Sequence, residues 1–242
     1  MRLHHLLPHQ LRQAIAEGWP LLVPTGCVEY HGPHLPSGVD TMIVEELLLR
    51  VAKHFPCVVA PPLWYGPASY AVAGPELGSV DVSTERFGRH AKDVLAAFWD
   101  AGWRWIIVGI HHQGLDGPES LALRSAAVEV AFERSAAVRG NAWWGKAAPA
   151  AHDNVFERIQ VWPSVLPSAA GKIEMADHAG LYETSLIMAA YPGLADLSQL
   201  GSDAPWYTNT STSQARQANA EAGEQMWAAM VEAWQTRLAR LN

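Results

Sequence analysis

The sequence predicts an α/β fold in which a largely parallel sheet is covered by helices on both faces. Three observations predict it. Short apolar runs alternate with longer segments of helical period along the chain, the pattern of strand–helix–strand units. The strand runs are apolar throughout rather than at every second position, as in strands buried on both faces. At 242 residues, 49% hydrophobic and only 17% charged, the chain has ample material for a core and lacks the composition of disorder. That length is at the upper end for one domain, so residues 1–242 are read as a single unit.

Leu21-Leu22-Val23-Pro24 is the first expected strand, running into a turn at Thr25-Gly26. Asp40-Thr41 is expected to cap a helix that continues to Val51. Cys57 to Ala60 reads as a second strand, stopped by Pro61-Pro62. Glycine and proline between Gly66 and Gly78 predict a long loop, and loops of that length are usually functional or disordered. Ser83-Thr84-Glu85 opens a helix that runs to Ala101, and Gly102 ends it. Trp105 to Val108 is the third strand and leads into Gly109-Ile110-His111-His112-Gln113-Gly114. A helix follows over Pro118 to Arg134. Residues 139–172, rich in Ala, Pro and Trp, predict irregular structure. Helical period returns over Leu181 to Ala190. It returns again from Ser213 to Leu241, read as one long helix with Trp227 and Trp234 on one face.

Composition excludes several classes. No stretch approaches the roughly 18 uninterrupted apolar residues of a membrane span; the best run is Trp105 to Ile110. Net charge is −7 and the 17 basic residues are scattered, so no nucleic acid partner is expected. The opening Met1-Arg2-Leu3-His4-His5 lacks a basic segment followed by an apolar one and reads as no signal peptide. Cys27 and Cys57 are too few for a disulfide framework and too far apart for a zinc knuckle. A reduced, cytoplasmic protein is the expectation. Eleven tryptophans exceed core needs, and Trp206, Trp227 and Trp234 are expected at a contact surface.

Both histidine-rich segments follow expected strands, the end of the sheet where α/β folds bind ligands. Between Gly26 and Asp40 lie Glu29, His31, His34 and Asp40. In extended chain Glu29 and His31 project to the same side, and a turn built from Gly32, Pro33 and Pro36 can return Asp40 toward them. Any one of these residues alone suits a polar loop. All four together at a strand end favour a metal site, and carboxylate with imidazole suits Zn, Mn or Fe. Of His111 and His112, one can reach into such a site while the other lines its wall. Glu183 follows His178 by five positions near an expected helix start, where Glu also serves as a dipole partner.

Taken together the segments resemble the creatininase (creatinine amidohydrolase) family. Glu29-Tyr30-His31-Gly32-Pro33-His34-Leu35-Pro36 with Asp40 is similar to the family signature Glu-x-His-Gly-x-His-Leu-Pro and its following metal-binding Asp. Gly109-Ile110-His111 sits where the family has Asn-Gly-His. The run from His178 through Glu183-Thr184-Ser185 to Tyr191-Pro192 resembles the His-x-Gly-x-x-Glu-Thr-Ser block and its Tyr-Pro.

The resemblance implies a three-layer α/β/α sandwich with a mostly parallel central sheet, one or two divalent ions (Zn, Mn or Fe), and a homo-oligomer, often a hexamer. Carried over residue by residue, Glu29, Asp40 and His111 hold one ion, and His31 with a bridging Asp40 holds the second. Creatininase has a Glu two positions after the strand-end His; here that position is Gln113, and Glu183 is expected to supply the missing carboxylate. His178 is expected to transfer protons, with Glu183 beside it, while His112, Asp177, Tyr30 and Ser69 are expected to bind substrate.

The implied reaction is hydrolysis at a carbonyl of a small polar cyclic substrate, most often an amide C–N bond. The alternatives are ring opening of a keto-cyclitol or lactone, and a non-catalytic small-molecule-binding protein on the same fold. Creatinine is expected to be a poor substrate: Glu174 and Met175 stand near where creatininase has a ring-stacking Trp, and His112 replaces a Tyr. Trp143 and Trp144 fit a pocket wall or the core equally.

Overall fold

Four short apolar runs pair into one parallel sheet: β1 (Leu21–Thr25), β2 (Val58–Val59), β3 (Ile106–Ile110) and β4 (Ile159–Pro163), in the order β2-β1-β3-β4. The computed structural model describes residues 1–68, 77–145, 154–169, 177–201, 206–208 and 212–241. β1 and β3 form the centre, in register from Leu21↔Ile106 to Thr25↔Ile110, and every residue of both is buried.

Alternation sorts the side chains onto two faces. Leu21, Val23, Ile106, Val108 and Ile110 join one apolar cluster; Leu22, Ile107, Val59 and Trp162 join another. Helices α1 (Pro8–Ala16), α3 (Thr84–Asp100) and α4 (Pro118–Arg139) supply the first cluster. Helices α2 (Val39–Val51), α5 (Leu181–Ala190) and α7 (Ala220–Leu238) supply the second, with the single turn α6 (Thr212–Ala215) between α5 and α7. Helices, sheet and helices make the three-layer α/β/α sandwich that the sequence predicts. Among the described residues, no helix is long and apolar enough to cross a membrane.

The structure corrects the expected elements in several places. Helix α1 escaped notice because it is only nine residues long and buries only Ala14 fully, although Leu11, Ala14 and Ile15 recur at helical spacing along its inner face. Ile159–Pro163 is a strand where irregular structure was expected. It pairs with β3 from Ile106↔Ile159 to Ile110↔Pro163, and its half-exposed pattern reflects one-sided pairing. The tail is not one helix: the Asn219 side chain accepts from the Ala222 N–H at 2.9 Å and starts α7 afresh. Trp227 and Trp234 are fully buried, donating their indole N–H groups to the carbonyls of Leu186 and Ser164. They are core, not contact surface. Trp206 is 47% exposed.

Candidate metal centre

The chain leaves β1 directly against the first turn of α2. A Cβ at Gly26 would stand 2.6–2.9 Å from atoms of Thr41, so glycine alone permits the approach. Gly32 makes the following turn at φ +75°. Cys27, Glu29 and His31 thus line the carboxyl end of β1, and Asp40 comes to meet them. Asp40 does not cap α2 as expected. It sits inside the first turn, buried, with Oδ2 3.4 Å from Cys27 Sγ, 3.7 Å from His31 Nε2 and 3.5 Å from His112 Nδ1.

The histidine pair after β3 divides differently from the expectation. His112 Nδ1 lies 3.2 Å from Glu29 Oε2 and beside Asp40, whereas His111 turns to Ser164 Oγ (2.7 Å) and Glu183 Oε1 (3.2 Å). His112, expected on the substrate side, therefore occupies the place expected of His111. Counted from His112, the position two residues on is Gly114 rather than Gln113.

From α5, Glu183 Oε2 accepts the Ala179 N–H at 2.6 Å and stands 3.7 Å from His31 Nε2. Ala179 presents that N–H from a left-handed backbone, φ +54°. Three groups of close donor atoms result among the described residues. One is Cys27, Glu29, Asp40 and His112, another is His31, Asp40 and Glu183, and Asp40 belongs to both; the third is Glu29, His31 and His178. His178 lies above, its ring 4.2 Å from that of His31 and its Nδ1 3.7 Å from Glu29 Oε2.

The donor set fits a divalent ion. His31 Nδ1 meets the Glu29 carbonyl at 2.9 Å, and because a carbonyl only accepts, Nδ1 carries a proton and Nε2 is the atom left to meet a ligand. That Nε2 is buried, has no hydrogen-bond partner, and points at the carboxylates of Asp40 and Glu183. Two carboxylates around this nitrogen call for positive charge there, which a metal ion supplies, or a second ring proton where no metal is bound. Among the described residues, every ion pair formed by Glu29, Asp40 and Glu183 is to a histidine.

The electrostatics agree. Burial opposes ionisation of Asp40, yet His31 and His112 outweigh it and hold the carboxyl well below its usual range. Burial likewise works against protonation of His112, but Asp40 beside it drives its pKa strongly upward. Cys27 goes the other way: burial, then Asp40, keeps the thiol protonated.

Other expected site residues lie elsewhere or are otherwise engaged. Asp177 accepts from the backbone N–H groups of Tyr182 (2.7 Å) and Glu183 (3.5 Å), so it holds the start of α5 rather than facing a ligand. Burial, then Glu183, raises it to about 6. The Tyr30 ring stacks on Trp206 (5.3 Å) and against Tyr207 (5.5 Å). His34 bonds Thr184 Oγ1 at 3.1 Å, and burial lowers it to about 4, so it is a neutral packing residue. Trp143 and Trp144 gather with Phe132 and Phe156 against the carboxyl-terminal half of α4. Phe132 lies 14 residues into that helix, about 21 Å from its start, so neither Trp forms a wall of this site. Ser69, Glu174 and Met175 lie outside the described residues.

Two residues here were missed. Cys27 precedes Glu29 by two, and the same alternation that pairs Glu29 with His31 places it on that side. Glu119, in the first turn of α4, is fully buried with neither oxygen hydrogen-bonded. Burial raises it to about 8, with His112 pulling down and Asp40 and Glu29 pushing up. A carboxyl whose folded pKa stands above the ordinary 4.5 loses stability as pH rises from that value through about 8. Glu119→Gln, with nothing to ionise, escapes the loss. In chelator-treated protein it should exceed the parent in stability by on the order of 1–3 kcal/mol at pH 9 and match it at pH 5. Denaturant titrations at both pH values check this, and an equal difference at both would contradict it.

A three-layer sandwich with buried carboxylates and imidazoles at its strand ends defines the class: an α/β protein with a candidate centre for divalent metal. The family model described as creatinine amidohydrolase matches residues 4–238. The chain belongs to the creatininase family, a family of metal-dependent amidohydrolases. It is 37% identical over 95 residues to the 3-dehydro-scyllo-inosose hydrolase of Thermotoga maritima, a match covering 39% of this chain and 30% of that one. It is 25% identical over 189 residues to the creatinine amidohydrolase of Pseudomonas putida, covering 74% and 67%. Solved creatininase structures agree in fold with a TM-score of 0.79. One is a variant of Zn-Zn type, 19% identical and covering 99% of this chain and 97% of that one; another, 20% identical with the same coverage, is an Mn creatininase.

Proposed function

We propose that this chain is a metal-dependent hydrolase acting at a carbonyl of a small polar cyclic substrate, an amide C–N bond first. The observation that carries the reading is Asp40, whose Oδ2 faces both of its donor groups at once. Glu29, Asp40 and His112 would hold one ion, and His31, Asp40 and Glu183 a second, the ions being Zn, Mn or Fe. Such ions polarise a carbonyl and lower the pKa of water from 15.7 toward about 7. His178 Nε2 donates to the Tyr30 carbonyl at 3.0 Å, which leaves Nδ1 as the proton acceptor on the Glu29 side. With its side chain 23% exposed, His178 is placed to take a proton inside the site and pass it to a leaving group or to solvent. Purified protein dialysed without chelator should retain about one to two equivalents of metal, as two-metal hydrolases do. Protein that holds none would favour a small-molecule-binding role on the same fold.

A second reading, ring opening of a keto-cyclitol, is supported by the 37% identity to an inosose hydrolase over 95 residues. Steady-state assays on cyclic amides, lactones and keto-cyclitols separate the two. In either case creatinine should be poor, with kcat/KM below about 10⁴ M⁻¹s⁻¹, the lower end of ordinary enzyme efficiency.

The same reading takes residues 1–242 as one metallohydrolase domain. It places the chain in the cytoplasm, where the free thiols of Cys27 and Cys57 stay reduced. It also expects a homo-oligomer, a hexamer by family likeness. An exposed aromatic patch supports this: Trp144 (74%), Phe132 (46%) and Phe156 (39%). Light scattering should find a mass several times 26.4 kDa; a 26.4 kDa species alone would refute it.

A further inference from the structure

We propose that Cys27 is a thiolate ligand of the half-site formed by Glu29, Asp40 and His112, closing it and biasing it toward zinc and cobalt(II) over manganese. The inference rests on the metal-centre reading above and adds a ligand to it.

Ligand spacing carries the argument. Around a tetrahedral ion with bonds of about 2.0–2.1 Å to nitrogen and oxygen and about 2.3 Å to sulfur, ligand atoms stand about 3.3–3.6 Å apart. Cys27 Sγ lies 3.4 Å from Asp40 Oδ2, His112 Nδ1 3.5 Å from the same oxygen and 3.2 Å from Glu29 Oε2. All four donor atoms lie within 4.8 Å of one another. Three measured edges therefore match those of one coordination tetrahedron.

The surroundings of the two cysteines differ in the same sense. Cys57 packs in the apolar cluster beneath α2, as a small hydrophobe does. Cys27, equally buried, belongs to neither apolar cluster and faces two carboxylates and an imidazole instead. An independent sign of a ligand stands beside it: His31 Nε2, fully buried and without a hydrogen-bond partner, is aimed at the Asp40 oxygen that Cys27 also meets.

Coordination would break the Sγ–H bond of Cys27 and the Nδ1–H bond of protonated His112, form sulfur–metal and nitrogen–metal bonds, and release both protons to solvent; no oxidation state changes. Four protein ligands then close the Cys27 half-site, as in structural zinc sites, while His31, Asp40 and Glu183 make a three-ligand site with a position open to water and substrate. Soft thiolate discriminates against manganese, which suits carboxylate and water.

Cobalt(II) loaded into the full-length protein provides the test. The wild type and Cys57→Ser should both show a near-ultraviolet thiolate-to-cobalt charge-transfer band. Cys27→Ser should bind cobalt without that band, and its preference for zinc over manganese should fall by about 10–100-fold, the scale of effects from altering a metal's protein environment. Wild-type protein that binds cobalt with no such band overturns the inference and leaves the metal centre standing. So does a band that Cys57→Ser abolishes and Cys27→Ser keeps. If no cobalt binds at all, the metal-centre reading fails, and this inference with it. The wild-type and Cys57→Ser spectra decide the matter even where Cys27→Ser does not fold.

Discussion

Asp40→Ala should strip the protein of metal and of turnover together. Its Oδ2 is the one donor atom that lies within 3.7 Å of His31 on one side and of His112 and Cys27 on the other. Removing it takes a ligand from both half-sites, whereas loss of any other donor takes one from a single half-site. Retained metal should fall below about a tenth of an equivalent, and kcat/KM should drop by at least about 10³-fold, the upper range for losing one electrostatic stabiliser of a transition state. Elemental analysis and steady-state kinetics measure both. A cooperative thermal transition in the variant separates loss of metal from loss of fold. A variant that keeps its metal and its rate would show that Asp40 is an ordinary buried carboxylate and that the centre has been misread.

The comparison of Glu183 with Gln113 has the next largest expected effect. Glu183 faces His31 at 3.7 Å and is held by the Ala179 N–H and by His111. Burial opposes its ionisation, but His31 and His111 prevail and lower its pKa, so it is an anion facing the buried His31 Nε2. Glu183→Gln removes that charge at constant shape and should weaken metal retention by about 10–100-fold or more. Gln113 stands in a left-handed turn, φ +58°, and its amide donates to the Ala68 carbonyl at 3.4 Å. Gln113→Ala should change retention less than about twofold, a surface-like effect within about 0.5 kcal/mol. Chelator competition gives both numbers, and equal effects from the two changes would count against Glu183 as the third carboxylate.

Much of this was legible in the chain before its structure. All-apolar runs at Leu21 and Ile106 announce strands buried on both faces, and they alone place the following His-rich segments at one end of a sheet. The two-residue alternation of Glu29 and His31 needs only an extended backbone, and Gly32 with its prolines explains the return to Asp40.

What escaped reading has physical causes. Strand β4 owes its form to pairing with β3, a contact 53 residues away that no local pattern encodes. Which of His111 and His112 turns inward depends on where the strand's pleat ends, a half-period the sequence does not mark. Asp177 resembles a ligand-facing acid because its partners, the N–H groups at the start of α5, are backbone and invisible in a sequence. Trp227 and Trp234 looked surplus because volume alone cannot show that a 19-residue helix would seat both against the sheet.

The parallel pairing of β1 with β3 bears on how the molecule is made. Leu21 meets Ile106, so the central contact of the sheet joins residues about 85 positions apart. At about 5–20 residues per second, the ribosome takes on the order of 4–17 s to deliver β3 after β1. Through that interval β1 has only the two-residue β2 to pair with, and its other edge, like the inner apolar face of α2, waits uncovered, a surface that holding chaperones bind. The motif from Glu29 to Asp40 is translated early, yet His112 and Glu183 join it only after the sheet has closed. An amino-terminal fragment that carries the motif complete would therefore lack the donors on which the centre depends.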